Sequence, residues 1–133
     1  MNDEKISARL LDQRLRNRIM ESLDWLAEGN DGVGSFGAGE WFEQFFDQHN
    51  EQRGRVFENE AMTAEERDAF LAVYRLMGEA AKSTPKKVTD EALISSGWPA
   101  RIAPAAQAAV DLMMKRGRFS EEIEESEPSD PLR

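Results

Sequence analysis

The chain has 133 residues, 40% of them hydrophobic and 32% charged, with a formal net charge of −9 and no cysteine. That is enough apolar chain to build one core of its own, which excludes a disordered protein, and the missing thiols exclude disulfides and thiolate metal sites. The acidic balance argues against a non-specific nucleic-acid binder, whose affinity comes from Lys and Arg displacing phosphate counterions.

The first stretch, MNDEKISARLL, carries acids where a secretory leader needs a basic start and an apolar run. No apolar run approaches the roughly 18 residues of a membrane span. The expectation is a cytoplasmic protein with no membrane partner. From about Asp3 to Glu28, Leu11, Leu15, Ile19, Leu23 and Leu26 recur at spacings of three and four, which predicts a long amphipathic helix. Its basic residues Arg9, Arg14, Arg16 and Arg18 divide between the two flanks of the leucine face at about 100° per residue. Arginines so placed lay their stems on the core edge and keep their charge wet, with Asp12 within a turn of Arg9 and Arg16.

Gly29 to Phe46 holds five of the nine glycines and five aromatics. Gly32, Gly34 and Gly37 spell G-x-G-x-x-G, but a dinucleotide loop needs a buried strand before it, and ESLDWLAE reads as helix. Counted from Gly29, Asp31 and Glu40 take positions 3 and 12 of a calcium loop in outline, while Gly29 and Val33 stand where oxygen ligands belong. The remaining reading is a flexible interhelical loop, with Phe36 tucked towards the core, that offers itself to a partner.

From about Glu40 to Asn50 a second helix carries Trp41, Phe42, Phe45 and Phe46 as two i,i+4 aromatic pairs. Together with Phe36 these are the candidate partner-binding residues, because Trp and Phe commonly anchor interfaces; core burial is the competing role. His49, the lone histidine, has no nucleophile motif beside it and suits the free carbonyls of a helix end. Residues 51–62 do not commit to a structure.

Thr63-Ala-Glu-Glu66 has the capping-box form and opens a helix whose face is Phe70, Val73, Tyr74, Met77 and Ala81, stopping before Pro85. Thr89 caps a short helix that ends at Gly97, with Val88 and Leu93 spaced as a hydrophobic staple. Pro104 suits the first turn of a final helix over 105–116. Beyond it, residues 120–133 contain six acids against Arg133, and the expectation is a flexible acidic tail.

The chain therefore reads as all-α: a compact bundle of about five helices over 1–119, a Gly-rich loop between helices 1 and 2, and an acidic C-terminal tail over 120–133. The function expected is a non-enzymatic adaptor or regulatory protein, with no cofactor and no metal, that contacts a protein partner or its own copy. The alternative rests on Glu40-x-x-Glu43 and Glu65-x-x-Asp68, which resemble in outline the carboxylate pairs of all-α nucleoside-triphosphate pyrophosphohydrolases. That resemblance implies Mg²⁺ held against a triphosphate by two helices. Acids in the first turn of a helix are also what its dipole favours, which is the competing account of both pairs.

Overall fold

In a computed structural model, described for residues 6–49, 56 and 58–129, the regular elements are all helical. They run α1 (Ala8–Leu26), α2 (Asn30–Phe36), α3 (Ala38–His49), α4 (Ala64–Ser83), α5 (Asp90–Ser96) and α6 (Trp98–Met114). The ambiguous segment 51–62 lies partly outside the described residues, so its order is left aside. Of its described residues, Val56, Asn59, Ala61 and Met62 are buried.

Local chemistry sets the helix starts. Ser7 Oγ accepts from the Leu10 N–H at 3.1 Å and begins α1. The box at α4 closes as its sequence form requires: Thr63 Oγ1 accepts from the Glu66 N–H at 3.0 Å, and Glu66 Oε1 from the Thr63 N–H at 3.1 Å. Two orphan donors are satisfied at once. Thr89 caps α5 through the Ala92 N–H at 3.1 Å. α6 starts earlier than expected, at Trp98, and Pro104 sits inside it rather than in its first turn. Pro99 takes the early-helix role instead, and the buried Ile102 and Ala106 on either side of Pro104 hold the helix through it.

Helix α6 is the hub, with α1 and α4 packed along it and α5 folded back on its start. The core gathers Leu15, Ile19, Leu23 and Leu26 from α1, Trp41 and Phe45 from α3, Phe70, Val73 and Met77 from α4, and Ile102, Val110 and Met113 from α6. Leu11 departs from the predicted stripe: it stands in the first turn of α1 and is 41% exposed.

The expected glycine loop is the largest correction. Asn30–Phe36 is itself a short helix of seven residues between two tight turns, which brings the helices among the described residues to six. A helix there cannot wrap a cation as a calcium loop does. The glycines serve packing. A Cβ on Gly32 would stand 2.8 Å from the Trp25 carbonyl oxygen, and Gly37 ends α2 with φ of +87°, where side chains are strained.

The acidic C-terminal stretch, expected as a flexible tail, is described as far as residue 129. Residues 117–129 form no helix yet lie along the first half of α1, because arginine and amide side chains of α1 take up their backbone groups.

Candidate interaction surface

Helix α3 divides the aromatic candidates into two sets. Its first turn is fixed from outside: the Ala38 N–H donates to Asp90 Oδ1 at 2.8 Å, so α5 caps α3. From that start, Trp41 and Phe45 point inward and are fully buried. Phe45 meets Phe70 at 6.1 Å and Tyr74 at 5.7 Å between ring centroids, joining α3 to α4. These two residues belong to the core, the competing role foreseen for them, and present no surface to a partner.

Phe36, Phe42 and Phe46 are only partly buried against the core. Phe36 leans on Trp25 of α1 at 4.8 Å, and Phe46 meets Tyr74 edge to face at 6.0 Å. Among the described residues, Tyr74 and Leu71 in turn line a groove of about 660 Å³ along α4, with Asp68, Arg75, Glu79 and Lys82 as polar members. An apolar ledge from α3 thus runs into an open groove with charges of both signs at its edge. Leu71 escaped the sequence reading because it lies about 100° off the Phe70–Val73–Met77 face. Its pairing with Tyr74 at a spacing of three was the available signal.

The carboxylates of the hydrolase alternative do not gather. Glu40, Glu43, Glu65 and Asp68 are all exposed. Among the described residues no three His, Asp or Glu side chains are grouped to hold a metal ion.

His49 does not reach for helix-end carbonyls. It is fully buried, with Nε2 at 2.7 Å from Ser22 Oγ, and that hydroxyl donates to Gln48 Oε1 at 2.8 Å. Since the hydroxyl has one proton, the network assigns the hydrogen of His49 to Nε2, facing Ser22 Oγ. The pair has the outline of a nucleophile and its base. However, both side chains are sealed from solvent, and among the described residues His49 Nδ1 has no partner to orient the ring. Burial lowers its pKa from 6.5 to about 4, so the imidazole is neutral at physiological pH.

Arg16 was expected to keep its charge wet and is instead fully buried. Its carboxylate is Glu66, reached from Nη2 at 3.0 Å, and Arg116 reaches the same carboxylate at 2.9 Å. Burial raises the Glu66 pKa, but hydrogen bonds from Arg116 and Arg16 outweigh it and hold the carboxyl below its usual range. Arg16 also donates to the carbonyls of Met113 and Gly117 at 2.9 and 2.7 Å. With all five Arg16 donors used on protein groups, the buried guanidinium is a structural tie rather than a site awaiting a ligand.

The chain matches no family model, no curated protein and no solved structure. No described helix is long and apolar enough to cross a membrane.

Proposed function

We propose that this is a non-enzymatic helical interaction protein, working in the cytoplasm, that contacts a protein partner or a second copy of itself. The contact surface is the edge made by Phe36, Phe42 and Phe46 with Leu71 and Tyr74. One observation carries the reading. Folding buries Trp41 and Phe45 completely yet leaves three neighbouring rings part-exposed beside a groove lined by Leu71 and Tyr74. Apolar surface of that kind, rimmed by charge, is what interfaces cover.

Light scattering across a concentration series, with capture from a cell lysate, tests it using Phe42→Ser and Phe46→Ser. Those variants should keep the helical content of the parent and lose either its self-association or its captured partner. Folded variants that retain both the parent's mass and all its partners would remove the proposal.

A further inference from the structure

The first half of α1 carries a polar row that the helical core does not use. Gln13 and Asn17 are fully buried, but their amides meet the main chain of the C-terminal segment rather than another helix. Asn17 holds Phe119 from both sides: Nδ2 donates to its carbonyl at 2.9 Å and Oδ1 accepts from its N–H at 3.2 Å. Gln13 spans more of the segment, donating to the Ser120 and Ile123 carbonyls at 2.9 Å each and accepting from the Glu125 N–H at 2.7 Å. Arg9 Nη2 donates to the Glu125 carbonyl at 2.6 Å, and Arg14 Nε to that of Glu121 at 2.8 Å.

Nearly all of these contacts read peptide backbone. Side chains of the segment meet α1 chiefly at two places. The Phe119 ring, 3% exposed, lies under the guanidinium groups of Arg9 and Arg16 at 5.2 and 5.3 Å. Two residues on, the Glu121 carboxylate accepts from Asn17 Nδ2 at 3.0 Å and from Arg18 Nη1 at 3.1 Å. Of the remaining acids, Glu127 takes Arg116 Nη1 at 3.2 Å near the surface, and the Glu125 carboxylate accepts from the Ser120 N–H within the segment itself. Ile123 is 63% exposed, so beyond Phe119 the segment buries little apolar surface.

The segment also contributes no helix of its own, and it leaves the core at a defined point. Gly117, with φ of 94°, has its carbonyl held by Arg16, and Arg116 is anchored on Glu66. Everything after that pivot can lift away without breaking a helix. A segment that adds no helix and buries one ring beside a set of polar bonds opens below the cost of global unfolding.

We propose that the polar row of α1, Arg9 to Arg18, is a peptide-binding surface and that residues 119–129 are its displaceable occupant. Bound in cis, they close the row against acidic, aromatic-led, non-helical segments of a partner protein. Such segments share the three features the row recognises: an anchoring ring, a carboxylate two residues later, and an irregular backbone with free carbonyls. The inference stands apart from the aromatic edge, because it concerns a different surface.

The test uses the full chain and a fluorescent synthetic peptide of residues 117–129, followed by anisotropy. The double variant Phe119→Ala/Glu121→Ala weakens the built-in occupant, and should bind the peptide at least about tenfold more tightly than the parent does. Adding Gln13→Ala and Asn17→Ala should abolish that binding, whereas Phe42→Ser and Phe46→Ser should leave it unchanged. Equal affinity for parent and double variant, with helicity retained, overturns the proposal, as does binding that survives loss of Gln13 and Asn17. Should the double variant not fold, hydrogen exchange on the parent decides. The Ser120, Ile123 and Glu125 amides should then exchange at least about a hundredfold faster than the slowest amides of α6. Equal protection, or a dimer that trades this segment between copies, overturns it.

Discussion

Ser22, Gln48 and His49 meet inside the fold, and their arrangement sets an acid limit on stability. His49 is neutral when folded, with its pKa lowered by burial from 6.5 to about 4. A group that prefers to take up its proton in the unfolded chain costs stability as pH falls. The loss therefore begins near the ordinary histidine value and grows until pH reaches the folded value. The span from 6.5 to about 4 corresponds to about 3 kcal/mol. Urea midpoints between pH 7 and pH 4 should show this loss in the parent and little of it in His49→Phe, whose ring suits the contacts to Phe45 and Phe70. Parallel pH profiles for the two proteins would contradict a buried neutral imidazole.

At the scale of elements, the short helix α2 separates two roles that the glycine pattern left merged. Gly32 lies against the last turn of α1, where a methyl group would press on the Trp25 carbonyl. Gly34 faces open space in the same helix. Gly32→Ala should destabilise by about 1 to 3 kcal/mol through forced backbone shifts. Gly34→Ala should stabilise by about 0.5 to 1 kcal/mol, because alanine loses less backbone freedom on entering a helix. Thermal melts of the two variants check the opposite signs. A mobile connecting loop would leave both near neutral.

For the whole molecule, Glu66 is the knot. Its side chain closes the α4 cap, takes Arg16 from α1, and takes Arg116 from just beyond α6. Removing it leaves a fully buried guanidinium without its counter-charge, which typically costs about 3 to 5 kcal/mol. Glu66→Ala should show that loss in chemical denaturation, whereas Glu65→Ala, one residue away and exposed, should stay within about 0.5 kcal/mol. Comparable losses for both would mean that only the helix terminus matters. The same pairing adds a second acid-dependent term. The folded pKa of Glu66 is depressed, so its contribution is present above the usual carboxylate range and is lost as pH falls through the folded value.

Local chemistry along the chain was enough to establish the helical class and several of its boundaries. The Thr63 capping box, the Thr89 cap and most of the apolar faces of α1 and α4 each depend on neighbours within a turn, and the structure keeps them except at Leu11, which is exposed, and at Ala81, whose place in the core Ala80 takes. The burial of Trp41 and Phe45 beside half-exposed Phe42 and Phe46 was foreseeable only as a competition, because periodicity names a face and cannot say what covers it. Tertiary packing alone decided the rest. Arg16 finds its carboxylate 50 residues away in Glu66, and Asn17 finds its backbone partner 102 residues away in Phe119. Such long-range polar pairings leave no period in the sequence. Their residue types read as ordinary surface groups until another part of the chain arrives to take them out of water.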